Sequence, residues 1–149
     1  MKIRFIIILI CVSVLFSCSV NNVDNTSNNQ ITITQWNLIN TSGGFAGVND
    51  NFEIGDIIWV FNELTGSLTV INKNTDDMLQ DGLDSGNYSY IFSENDSNLF
   101  LTVNDSIEFG LLTISEDTET FTLNQNVTLA GIAADGFIYT FEKMVIIID

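Results

Sequence analysis

The chain is 149 residues long and carries 19 acidic side chains against four basic ones, with no histidine and no proline, for a formal net charge of −15. That length suits one domain around one core. The charge excludes a general nucleic-acid-binding role, because neutralising phosphates needs Lys and Arg, and the lack of histidine excludes Ser/His/Asp and Cys/His catalysis.

The N-terminal stretch comes first. Lys2 and Arg4 precede an almost purely apolar run from Phe5 to Phe16. The run is too short to span a bilayer, and its basic start predicts an export signal. Leu15-Phe16-Ser17-Cys18 resembles a bacterial lipobox. The resemblance implies cleavage before Cys18 and lipidation of that cysteine, with diacylglyceryl and palmitate chains as the membrane anchor. The expected division is a signal at residues 1–17, an acylated cysteine and flexible tether at 18–30, and a β-barrel domain at 31–149. The expected location is the cell envelope, lipid-anchored, with Ser19 after the acyl site pointing to the outer membrane. After Cys18 only Lys73 and Lys143 are basic, so attachment to the membrane rests on the acyl chains on Cys18 and not on docking to anionic lipid. Cys11 leaves with the signal, so the domain has neither a free thiol nor a disulfide.

Ser19 to Gln30 is rich in Asn, Ser and Thr and buries too little apolar surface to fold. As a tether it reaches at most ~40 Å.

From Ile31 onward the hydrophobic period is two. Tyr88, Tyr90 and Phe92 alternate with Ser89, Ile91 and Ser93, and Phe137, Tyr139 and Phe141 alternate with Ile138, Thr140 and Glu142. Side chains on a strand point to opposite faces in turn, so each run offers one apolar face. The pattern predicts eight strands: Ile31–Ile39, Ile57–Asn62, Ser67–Lys73, Asn87–Ser93, Leu99–Val103, Ile107–Ser115, Glu119–Gln125 and Phe137–Ile148. Short gaps rich in Asn, Asp, Gly or Ser predict hairpins and antiparallel neighbours. Two connections are longer. Thr41–Gly55 and Asn74–Gly86 are expected to be loops of the kind that shape a binding mouth, with room for a short helix in either. The apolar ending Met144 to Ile148 is expected to close against the first strand.

Eight sequential antiparallel strands leave two edges unless the sheet closes, so the expected fold is an all-β, eight-stranded antiparallel up-and-down barrel. A two-sheet β-sandwich is the alternative. Trp36-Asn37-Leu38, Ile57 to Asn62, Leu68-Thr69-Val70, Asp84 to Tyr88, Leu123 to Asn126 and Ala134 to Lys143 occur in an order and spacing that resembles the lipocalin-like lipoproteins common in the Bacteroidetes lineage. The resemblance implies a calycin-type barrel with a cavity for an apolar ligand. In lipocalins a Gly-x-Trp motif opens the first strand and an Arg near the last strand packs across its Trp. Here Thr34 precedes Trp36 in place of that Gly, and Lys143 is the only base near the end.

No catalytic residue, metal ligand or cofactor motif emerges. Zinc and copper rarely use carboxylates alone. No glycine-rich phosphate cradle is followed by Lys, and Gly43-Gly44-Phe45-Ala46-Gly47 reads as a turn. Nothing singles out a carboxylate pair for glycoside hydrolysis. Asp76, Asp77, Asp81 and Asp84 lack EF-hand spacing and read as a solvated acidic loop, with calcium binding as the competing account.

Trp36, Trp59, Phe61, Tyr88, Tyr90, Phe92, Tyr139 and Phe141 form the aromatic set. They are the candidate lining for a small apolar ligand. The competing account is a packed core. The expected function is therefore non-enzymatic binding at the cell envelope. The alternative is a protein-interaction module, such as an inhibitor of a cationic hydrolase or an envelope-assembly component. Ser85-Gly86-Asn87-Tyr88 resembles the Ser-Gly-x-x-Tyr loop of membrane-bound lysozyme inhibitors with the tyrosine one place early, and an acidic surface suits a cationic partner.

Overall fold

A computed structural model describes residues 31–148; the expected signal segment, Cys18 and the tether lie outside the described residues. Where the sequence alternates, the chain forms strands: β1 (Ile31–Gly43), β2 (Val48–Asn51), β3 (Ile57–Asn62), β4 (Ser67–Asn72), β5 (Gly86–Asn95), β6 (Asn98–Val103), β7 (Ile107–Ser115), β8 (Thr120–Asn124), β9 (Val127–Thr128), β10 (Gly131–Ile132) and β11 (Phe137–Ile148). There is no helix among the described residues.

The main sheet runs β11-β8-β7-β6-β5-β4-β3-β1-β2, and β11 also pairs with β1. That last pairing closes eight strands into an antiparallel up-and-down barrel and leaves β2 outside it. Closure removes the sheet edges that a sandwich would have to cover. Met144 to Ile148 does close against the first strand, from Gln35↔Met144 to Ile31↔Ile148.

Two bulges keep apolar side chains inward. In β1 the register shifts between Leu38 and Asn40. Leu38 and Thr41 are then both fully buried, although strict alternation would turn one of them out. In β7 the register shifts opposite Leu101 and Thr102. Phe109 is the extra, unpaired residue at the shift and belongs to the core cluster, and Leu112 beyond it packs against that cluster.

The two long connections differ from expectation. Thr41–Gly55 is not one loop: β1 runs on to Gly43, turns, and returns as β2. The Asn40 side-chain amide donates to Asn49 Oδ1, to the Asp50 carbonyl and to Asn51 Oδ1 at 2.9–3.1 Å, fastening this hairpin. The segment after Asn72 holds no helix. It folds across one end of the barrel and buries Leu83. A Cβ placed on Gly82 would lie 3.4 Å from the Tyr139 ring and 3.7 Å from Trp59, so this loop is the floor of the barrel.

Candidate functional site

The interior is filled over its middle. Trp59, Phe109, Phe141, Leu38, Leu101 and Leu123 are almost completely buried. Trp59 packs its ring 5.2 Å from Phe109 and 4.8 Å from Phe141, centroid to centroid. Phe141 stacks on Phe121 at 4.6 Å, and Phe121 meets Trp36 edge-on at 4.6 Å. This chain of rings carries the packing from the centre towards the end opposite the floor.

At that end the barrel is open. β1 and β3 hydrogen-bond only at Trp36↔Trp59 and Asn37↔Ile58. Beyond those pairs they diverge, and a cleft of about 680 Å³ lies between Thr32–Thr34 on one side and Val60–Glu63 on the other. A second cavity of about 190 Å³ is walled by Trp36, Phe61, Tyr90, Phe92 and Phe121, with Glu63 at its border. A third, also about 190 Å³, lies against Trp36, Glu116, Glu119 and Lys143. All three share Trp36.

The eight aromatic candidates are thus split. Trp36, Phe61, Tyr90 and Phe92 are brought together at the mouth. Trp59, Tyr139 and Phe141 belong to the packed core. Tyr88 packs against the core cluster and does not line the mouth; its hydroxyl donates to the Asp84 carbonyl at 2.8 Å. Phe121, Leu99, Leu112 and Ile114 also line the aromatic cavity and were not among the candidates. Their alternation was visible, but their height on the barrel was not.

Charge at the mouth is mostly negative. Lys143 is the cross-strand partner of Trp36, and its Nζ stands 3.9 Å from Glu119 Oε1 on partly exposed side chains. Such a surface pair contributes only about 0–1 kcal/mol. Burial raises the Tyr90 hydroxyl above its usual pKa, with a smaller upward push from the Glu63 carboxylate. Near the floor, burial and, less, Asp81 hold Tyr139 up to about 12.

Two aspartates of the floor loop, Asp76 and Asp81, brace the loop itself. Asp81 Oδ2 accepts from the amides of Asn72 and Asn74 at 2.8 and 2.9 Å, and Asp76 Oδ1 accepts from the Met78 N–H at 3.0 Å. No group of three or more His, Cys, Asp or Glu side chains suited to hold a metal occurs among the described residues.

Fold and mouth together define a closed, eight-stranded, antiparallel barrel of calycin-like form, with a filled centre and one open end. Compared with known proteins, the chain matches no family model, no curated protein and no solved structure.

Proposed function

We propose that this is a lipocalin-like lipoprotein of the cell envelope, anchored through acyl chains on Cys18, that binds a small apolar group without catalysis. One observation carries the binding reading: three adjoining cavities share Trp36, at the open end of a barrel whose centre is filled. Sites that take small ligands are concave and mostly apolar, with a few polar groups at the border. The mouth has that make-up.

Native mass spectrometry of the protein isolated from its own envelope tests the reading. The expected result is a co-purifying apolar molecule that is lost in Trp36→Ala. A clean apo mass, together with no uptake of an added apolar fluorophore, would remove it.

A second reading has its own support. Ile31, Val145, Ile147 and Ile148 are each about half exposed or more on the projecting end of the β1–β11 pair. Ile31 and Ile148 lie on one face of this ribbon and Val145 and Ile147 on the other, so both faces of an acidic protein present apolar side chains, which suits a partner protein with a cationic, partly apolar surface. Crosslinking in the intact envelope distinguishes the two: a specific protein adduct through this ribbon favours the partner.

A further inference from the structure

The aromatic cavity is unlike a plain hydrophobic slot in two respects. Its walls are rings set at steep angles: 82° between Phe61 and Tyr90, 68° between Tyr90 and Phe92, and 66° between Trp36 and Phe121. Their centroids lie 5.0, 5.2 and 4.6 Å apart, and Phe61 links the two groups at 6.4 Å from Phe121. The one charged side chain among its lining residues is Glu63, in the turn after β3. Lys143 lines the two neighbouring cavities and not this one.

Ring faces carry the negative end of the aromatic quadrupole and attract cations within about 6 Å of the centroid. A carboxylate at the border adds to that attraction, and so does the net charge of −15 on the whole chain. An anionic head group meets the opposite conditions there.

The kind of cation follows from the polar atoms present. A primary ammonium is a compact, strongly hydrated charge with three N–H donors, and it loses most of that hydration on entering an apolar lining. The cavity offers the Glu63 carboxylate and the Tyr90 hydroxyl, while the rest of its lining is apolar apart from backbone. A quaternary ammonium donates no hydrogen bond and presents methyl groups to the rings. It suits this lining better.

We propose that the cavity walled by Trp36, Phe61, Tyr90, Phe92 and Phe121, with Glu63 at its border, is a site for a quaternary ammonium group. The proposal rests on the apolar-ligand reading of the mouth and names the class of ligand.

Calorimetric titration of the purified protein with choline, and with neohexyl alcohol as its uncharged isostere with carbon in place of nitrogen, tests it. Choline is expected to bind about tenfold more tightly than the alcohol. Glu63→Gln is expected to lower the ratio to about threefold, the rings supplying the remainder. Glu63 is exposed in a turn, so an unchanged thermal midpoint will show that the variant is folded. Equal binding of the two probes, or an undiminished choline preference in Glu63→Gln, overturns the cation site and leaves the apolar reading standing. Binding of neither overturns both.

Discussion

Trp36 and Trp59 are cross-strand partners on β1 and β3, yet Trp59 is completely buried and Trp36 borders the mouth. The pair marks the level at which a solid barrel becomes an open one. Below it the rings of Trp59, Phe109 and Phe141 pack on one another. Above it β1 and β3 separate.

The two tryptophans should report these levels separately. Trp59→Phe leaves Trp36 as the only indole, and its emission is expected to be red-shifted and readily quenched by acrylamide. Trp36→Phe leaves the buried Trp59, with blue-shifted, protected emission. Similar quenching in the two variants would contradict the filled centre.

Truncating Trp59 should separate packing from hydrogen bonding. Its indole Nε1 is buried without a hydrogen-bond partner. Trp59→Phe therefore gives up ring volume while relieving an unpaired donor, and is expected to cost less than about 1.5 kcal/mol. Trp59→Ala opens a cavity and is expected to cost about 3–5 kcal/mol. Urea unfolding of both variants checks the ordering.

Gly110 is expected to tolerate no side chain. Its φ is +82°, and a Cβ there would run into the backbone carbonyl of Asn124. Gly110→Ala should destabilise by about 3 kcal/mol or more, because strain and overpacking add. Gly66 provides the comparison: its φ of +63° is also left-handed, but a Cβ there meets nothing within 4 Å. Gly66→Ala is expected to cost only about 1 kcal/mol. Equal melting temperatures for the two variants would contradict the close approach at the β7 bulge.

Alkaline pH should weaken the fold through Tyr139. Its hydroxyl is raised to about 12 from an ordinary value of 10.0, because burial disfavours the phenolate and Asp81 adds to the effect. The folded state thus holds this proton more tightly than the unfolded state does. The resulting stability is fully present below pH 10, and it is lost as pH rises through about 12. The contribution is on the order of 2–3 kcal/mol. Tyr139→Phe is expected to flatten stability across that window, as measured by denaturant melts at successive pH values.

The β1–β11 ribbon is expected to promote self-association. Ile31 to Gln35 pair with Met144 to Ile148 beyond the last β8 pairing at Glu142↔Thr120 and the last β1–β3 pairing at Trp36↔Trp59. Free edges with exposed isoleucines are templates for pairing with another chain. Ile147, 56% exposed, is a suitable position for a charge. Ile147→Lys should lower the apparent mass in light scattering at high concentration and leave the thermal midpoint nearly unchanged.

Much of the fold was legible along the chain. Strands β3, β7 and β11 coincide with the alternating or apolar runs at Ile57–Asn62, Ile107–Ser115 and Phe137–Ile148. Gly110 inside such a run was a mark of the β7 bulge, because glycine inside a strand often accompanies one. The β1–β2 hairpin was less visible, since Val48–Asn51 is short and polar and is held by Asn40 from the far side of a turn. The floor was not visible at all. Leu83 reads as one apolar residue in an acidic loop, and only the folded chain brings its neighbour Gly82 up to Tyr139 and Trp59.

The order of side chains by itself determined that this is an all-β chain and, away from the bulges, which residues share a face, because a strand turns alternate residues to one side. It did not determine how far along the barrel each inward residue lies. That height depends on the registers around the whole barrel, closed by the β1–β11 pairing of residues far apart in the sequence. Those registers place Trp59 and Phe141 in the solid centre and Trp36, Phe61, Tyr90 and Phe92 at the open end. Seven of the eight aromatic residues thus divide between mouth and core, with Tyr88 packed against the core from its edge, and only the closed cylinder could separate them.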